Sequence, residues 1–373
     1  MKRIDIQARN DWQKKVEEVG FVFHSLVDIG TPYWNEEAAF VFNIEEVNAI
    51  ETATNVIHEM AILAVDSVIE KGDCQKLGLT ERQARLVENS WNNPKFDEIS
   101  LYGRLDLGYD GHNIKLLEYN ADTPTSLLEA AVVQWYWMKD VFPKMDQFNS
   151  LHEKLIKRWG AFKKQSPKIT FSCMRDSAED YATVHYLADC ATQAGIKTEF
   201  LYLDQIGLDN QRYTNMNEET IHSLFKLYPL EWLTVEKHSE QIESFRIIEP
   251  AWKMLLSNKA ILPILWEMFP KNPYLLPAYF EQKTQNCVKK PFFSREGANI
   301  SIIENGKVVL KTDGVYNDCP VIYQDKFNIP THGGRYPVIG SWIVGEEACG
   351  MGIREDFSEI TGNLSRFVPH IIS

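Results

Sequence analysis

Apolar residues recur along this chain at two different spacings, and each spacing predicts a different element. Val47, Ile50, Ala53, Ile57, Met60, Ala64 and Val68 fall three or four residues apart, the period of one helical face. Asn43 with Glu46 three residues later forms a capping-box signature, and Gly72 supplies the stop. The stripe predicts a long helix laid on a core, or a helix that presents an oligomer face. Between residues 101 and 120 the pattern changes to alternation, LYGRLDLGYDGHNIKLLEYN, broken at Asp110-Gly111. That predicts two strands and a tight connection. A helical run rich in aromatics is predicted from Ser126 to about Lys139. KITFSCM (168–174), a helix from Ser177 to Ala194 ending at Gly195, and KTEFLYL follow in strand–helix–strand order, which predicts a parallel, Rossmann-like sheet. The first forty residues mix turn formers with aromatics and predict no definite element. From about Ile247 the chain becomes dense in proline and aromatics, and its last hundred residues return to short strands and glycine turns. No internal repeat or low-complexity linker appears.

Composition narrows the class. The chain has 373 residues, 44% of them apolar and 24% charged, a globular composition long enough for two or three domains. Lys and Arg number 39 against 52 Asp and Glu, a formal charge of −13. Such a surface repels phosphate backbones, so nucleic acid is not the expected partner. The N-terminus lacks the apolar run of a signal peptide and no stretch is long and apolar enough for a membrane span, so no membrane association is expected. Six scattered cysteines, none in a CxxC pair, point away from zinc and disulfide frameworks and toward reduced thiols in the cytoplasm. HExxH, GxxxxGK[ST] and GxGxxG are all absent.

One cluster carries chemistry: Arg104, Asp106, Glu118 and Asn120, followed by Asp122 and Thr123. Residues two apart share a face of a strand. Two carboxylates and an amide oxygen suit Mg²⁺, and a guanidinium beside them suits a transferring phosphoryl group. An exposed charged hairpin is the plainer reading. In VKKPFFSREGANI (288–300), Lys290 and the turn Ser294-Arg295-Glu296-Gly297 could form a flap over phosphates. Lys259 stands inside an apolar segment and either snorkels or meets an anion. Tyr323-Gln324 ends an apolar strand that could face an adenine edge or simply belong to the core. Arg354 could pair with Glu355 or Asp356. Glu179 and Asp180 sit in a first helical turn, where the helix dipole welcomes them, and also where α/β sheets bind ligands.

Taken together these segments resemble the synthetase domain of the glutathionylspermidine synthase family. The similarity runs almost end to end through PYWNEEAAFVF, YGRLDLGYDG, LLEYNADTPTSLLEA, LYPLEWL, EPAWKMLLSNKAILPILWEMFPKNPYLLPAYF, VKKPFFSREGANI, GSWIVGEEACGMGIRED and SRFVPH. The resemblance implies an α/β, ATP-grasp fold with a Rossmann-like pre-ATP-grasp subdomain. The expected layout is an N-terminal region with the hairpin (1–160), a Rossmann-like substrate subdomain (161–250) and a nucleotide-binding region with C-terminal strands (251–373). It also implies an ATP- and Mg²⁺-dependent ligase that joins a peptide-like carboxylate, such as glutathione, to an amine such as spermidine through an acyl phosphate. By motif, Arg104 and Arg354 would stabilise the transferring phosphate, and Asp106, Glu118 and Asn120 would hold metal. Lys259 and Lys290 would hold the nucleotide's phosphates, and Tyr323 and Gln324 its adenine. Thr123 would lie near the acceptor carboxylate, with Glu179 and Asp180 near the amine. Two departures stand out. No Cys-His amidase segment precedes the synthetase-like region, so no hydrolase activity is implied; and Ser294 replaces the family's usual flap glycine. A non-catalytic binding protein with the same fold is the alternative.

The cluster also imposes a register. Paired positions of an antiparallel hairpin have a constant sum of residue numbers, and only an even sum turns Arg104, Asp106, Glu118 and Asn120 to one face. A two-residue turn at Asp110-Gly111 would give an odd sum. A three- or five-residue connection, or a bulge that restores parity, is therefore expected.

Overall fold

A computed structural model describes residues 1–26, 31–92, 100–237 and 239–373. The chain opens with β1 (Lys2–Asp5), a short helix α1 (Trp12–Glu17) and β2 (Ala38–Phe42), then enters the long helix α2 (Ile44–Glu70). The first forty residues, unassigned from sequence, thus supply two strands of a sheet. A hairpin follows, β3 (Tyr102–Tyr109) and β4 (Ile114–Asn120), and then α3 (Gln134–Val141) and α4 (Leu151–Phe162). Next come β5 (Lys168–Cys173), α5 (Ala178–Gln193), β6 (Lys197–Tyr202), β7 (Ser223–Leu227) and β8 (Arg246–Ile248). The remainder holds α6 (Ile261–Met268), β9 (Ala278–Tyr279), β10 (Cys287–Pro291), β11 (Ser301–Glu304) and β12 (Lys307–Lys311). It ends with β13 (Val321–Asp325), β14 (Tyr336–Val344), β15 (Glu347–Asp356), β16 (Arg366–Val368) and β17 (His370–Ile372).

The predicted capping box is present: Glu46 N–H donates to Asn43 Oδ1 (2.8 Å) and Asn43 N–H to Glu46 Oε2 (3.1 Å). The apolar stripe of α2 is buried from Val47 to Val68 and packs against β14, β15 and α6, so it is core. The aromatic helical run is helical from residue 127, passes through a π-turn at Glu129–Val133, and continues as α3. Ser126, predicted inside the helix, instead takes φ 67° just before it.

Four sheets organise the fold. An antiparallel sheet in the order β16-β15-β14-β3-β4 joins the hairpin to the C-terminal strands, and a second antiparallel sheet runs β9-β13-β10-β11-β12. The strands β8-β7-β5-β6 pair in parallel, as the strand–helix–strand pattern predicts. The last sheet, β1-β2-β17, ties the two chain ends together. The architecture is the α/β, ATP-grasp type. Among the described residues the six cysteines form no disulfide, and no helix is long and apolar enough to cross a membrane.

The hairpin register is even where it matters. Tyr109 pairs with Ile114 across a four-residue connection, an odd sum that continues to Leu107–Leu116. The three- and five-residue connections are therefore not what the chain uses. Asp110 closes the turn, its Oδ1 accepting from the backbone N–H of His112 (2.9 Å) and Asn113 (2.7 Å). A bulge between Asp106 and Leu107 then shifts the pairing to Asp106–Glu118, Leu105–Tyr119 and Arg104–Asn120. Leu117 is the extra residue.

Candidate active site

All four hairpin side chains line one cavity of about 310 Å³. Arg104 and Asp106 are buried, at 5% and 8% exposure, which excludes the exposed-hairpin reading. Arg104 reaches Asp106 through two parallel bonds, Nε to Oδ1 (2.7 Å) and Nη2 to Oδ2 (3.1 Å), and donates from Nη1 to the Thr125 carbonyl (2.6 Å). Gly340 pairs with Asp106 on the neighbouring strand. A Cβ there would stand 2.8 Å from Arg104 Cδ, so glycine is what lets the guanidinium lie flat across the sheet. Arg354 does not pair with Glu355 or Asp356. Its Nη2 donates to Asp106 Oδ2 (3.0 Å), while Glu355 is held by Arg3 (2.8 Å) and Asn35 (2.9 Å).

Lys259 meets an anion rather than snorkelling. Its ammonium lies 3.0 Å from Glu118 Oε2 and donates to the Ser294 carbonyl (2.5 Å). Lys290 donates to the Leu117 carbonyl (2.8 Å) and to Gln324 Oε1 (2.7 Å). The bulge therefore does two things: it turns Glu118 and Asn120 inward, and it frees a carbonyl that anchors a lysine. Burial would push the Glu118 carboxyl up, yet Lys259 and Lys290 hold it down at about 2. Burial and the charge of Lys259 lower Lys290 to about 8, against the pull of Glu118 and Asp106.

Gln324 enters the cavity and Tyr323 does not. Successive strand residues face opposite sides; Gln324 is buried against the hairpin, its Nε2 donating to the Leu116 carbonyl (3.0 Å), whereas Tyr323 pairs with Tyr279 and Lys289. Thr123 lines the cavity and accepts at Oγ1 from Arg295 Nη1 (2.7 Å). Asp180 lines it too, at the first turn of α5; Glu179 lies off the wall and hydrogen-bonds with Thr125. The carboxyl end of β7 contributes Leu227 and Pro229, in keeping with ligand sites at strand ends of parallel sheets. Asp122, one residue before Thr123, forms a fully buried ion pair with Lys226 of β7 and accepts from the Leu230 N–H (2.9 Å). That pair pins the site loop to the parallel sheet.

A group of carboxylates lies close to these cations. Burial and the charge of Glu179 push Asp180 up to about 7. Burial also raises Glu179, opposed by Thr125 and Arg354. Behind them Glu129, fully buried, accepts from Tyr33 Oη (2.8 Å) at Oε1, and its Oε2 has no partner among the described residues. Burial and Glu179 push it up to about 8. Sequence reading missed Glu129 because a lone glutamate in an apolar helix carries no spacing signal.

It also left Arg295 as part of a generic flap. In the structure Arg295 spans the cavity, bonded to Thr123 and to Glu231 Oε1 (2.6 Å), with Trp232 beside it. Gly297, at φ 70°, lets the flap pass the Thr361 carbonyl, which a Cβ would meet at 2.5 Å. Ser294 does not block this path; its Oγ turns back to the Pro291 carbonyl (3.3 Å).

The donor set fits Mg²⁺. Asp106, Glu118 and Asn120 present hard oxygens from one face, and this ion takes few protein ligands beside substrate phosphates. Among the described residues no three His, Cys, Asp or Glu side chains gather closely enough to cage an ion by themselves.

Carboxylates, lysines and arginines thus surround one cleft in a mixed α/β fold. The family model described as glutathionylspermidine synthase pre-ATP-grasp matches residues 3–373, and the chain belongs to that family. A Haemophilus influenzae protein named "Putative acid--amine ligase" is 45% identical, with 99% of each chain covered. Crithidia fasciculata trypanothione synthetase is 26% identical over 75% of this chain and 48% of its own length. The Escherichia coli bifunctional glutathionylspermidine synthetase/amidase is 27% identical over 86% of this chain and 57% of its own. The chain thus spans about half the length of these last two relatives.

Proposed function

We propose that this protein is an ATP- and Mg²⁺-dependent ligase that forms an amide between a peptide-like carboxylate of the glutathione type and an aliphatic amine of the spermidine type. The observation that carries the reading is the polarity of the cavity. Arg104, Arg354 and Lys290 line it beside Asp106 and Glu118, Lys259 backs Glu118, and Asp180 lines it from the first turn of α5 with Glu179 behind the wall. Phosphoryl transfer needs positive charge fixed where negative charge builds, and a site that holds such groups in advance spends nothing on reorganising them. Bound Mg²⁺ with ATP would supply the activated phosphoryl group, with Asp106, Glu118 and Asn120 as the metal's protein ligands.

The chain's own residues account for the rest. Lys259 and Lys290 hold nucleotide phosphates, and Gln324 meets the base from the second sheet. Thr123 and Arg295 position the acid. Its carboxylate oxygen forms a bond to the γ-phosphorus as the bond to the leaving diphosphate breaks. Arg104 and Arg354 neutralise the oxygens of that phosphoryl group. An ammonium drawn to Asp180 and Glu179 must give up a proton before it attacks the acyl carbon and expels phosphate. A carboxylate raised to about 7 is matched to accept that proton at neutral pH.

The test is phosphate release from ATP and Mg²⁺ with glutathione and a panel of amines. Release that requires both the acid and one amine supports the reading. ATP hydrolysis indifferent to amine, or no ATP binding at all, overturns it.

A further inference from the structure

A second cavity, of about 800 Å³, opens on the far side of α5 and shares no lining residue with the first. Its walls come from the end of α1, the π-turn and α3, the start of α4, and the solvent face of α5. Trp135, Tyr136, Tyr181 and Tyr186 supply aromatic faces. Glu18, Glu153 and Asp189 stand on the exposed rim, and among the described residues no lysine or arginine lines the space. This volume falls within the range of small-molecule pockets.

The lining selects a charge and a shape. Aromatic faces attract ammonium groups through the ring quadrupole, and rim carboxylates add direct attraction. One ring here already receives a cation from the chain itself: Lys139 Nζ lies 4.5 Å from the centroid of Trp135. The donors of the lining, Asn149, His152, His185 and Gln193, carry no fixed positive charge for an anion. Tyr181, His185 and Asp189 follow one another at four-residue steps along α5, a stripe of roughly 12 Å, so the complementary ligand is elongated. Carboxylates contributed by three separate elements suit more than one positive group.

We propose that this cavity is a second, non-catalytic site for a linear aliphatic di- or polyamine, held by cation–π contact with Trp135, Tyr136 and Tyr181 and by Glu18, Glu153 and Asp189. The site lies against the helix whose first turn carries Glu179 and Asp180, so its occupant bears directly on the element that shapes the acidic group at the active cavity.

Equilibrium dialysis of the full chain against spermidine at low ionic strength tests this without reference to turnover, so a failure of the ligase reading leaves the test intact. The expected result is a class of sites weakened at least about tenfold in Glu153→Gln/Asp189→Asn, whose positions are exposed, and in Trp135→Leu. The same class should persist in Asp180→Asn. Uncharged 1,8-octanediol, of comparable length, should not compete. Spermidine binding that vanishes in Asp180→Asn and is untouched by the other variants overturns the proposal. Competition by the diol would also overturn it, because apolar area rather than charge would then be the attractant.

Discussion

Two neighbouring groups of side chains at the active cavity handle buried charge in opposite ways. In the cationic group every charge is hydrogen-bonded: Arg104 and Arg354 share Asp106, Lys259 takes Glu118, and Lys290 takes a carbonyl and an amide oxygen. In the acidic group Glu129, Glu179 and Asp180 crowd like groups together, and among the described residues Glu129 keeps one oxygen unpartnered. The first arrangement is organised before any substrate arrives. The second is under electrostatic tension that a cation would relieve, since like charges and burial both favour holding protons. The anion-handling group thus comes ready-built, whereas the acidic group is completed by its ligand.

Substitutions can break this contrast in order of effect. Arg104→Ala should leave a folded protein whose turnover falls by about 10³-fold or more, the scale for losing an arginine that stabilises phosphoryl transfer. A loss under tenfold in steady-state assays would remove Arg104 from the chemistry. Lys290→Met keeps the stem but not the charge, and should weaken ATP binding by about 30-fold in calorimetry, as expected for a lost charge-assisted contact. Unchanged affinity would detach the second sheet from the nucleotide. Asp180→Asn should raise the amine KM by about tenfold with ATP affinity untouched; a change in ATP affinity instead would erase the distinction between the two groups.

Glu129→Gln probes the tension itself. Glu129 holds its proton to about 8 in the folded chain, well above the ordinary carboxylate range. The unfolded chain therefore releases that proton first as pH rises, so this group's contribution to stability falls between about pH 4.5 and 8. The glutamine variant cannot ionise. It should show a flatter stability curve across that window and exceed the parent by on the order of 4 kcal/mol at pH 8. Parallel curves in denaturant titrations would mean that Glu129 is not strained.

How far the sequence could be read follows the same division. The helix α2, the parallel strands and the hairpin announce themselves by period, because burial of one face leaves a repeating trace. Arg104, Asp106, Glu118 and Asn120 were visible as a cluster since strand alternation alone aligns them in pairs. Parity narrows what joins the pairs to a longer connection or a bulge, but the place of the bulge, at Leu117, left no mark, as one extra residue in an apolar run looks like its neighbours. Arg354 and Lys259 were found as isolated charges but not with their partners, which lie far away in sequence. Tyr323 was tied to its neighbour Gln324 although alternation sends them to opposite faces. Glu129 and the Lys226–Asp122 pair stayed hidden because burial of a charge depends on packing, which no local spacing encodes.

The bulge at Leu117 also has a bearing on descent. It divides the hairpin into a tip, whose length can change without disturbing the side chains below, and a short base in which counting is strict. Residues added or lost around Asp110–Asn113 alter only the tip. A single residue lost at Leu117 would yield a more regular ladder with Asp106 still opposite Glu118 and Arg104 opposite Asn120, yet it would remove the carbonyl that accepts from Lys290. Insertions and deletions tolerated during divergence should therefore collect at the tip. In the base, the irregular version is the one that selection must keep.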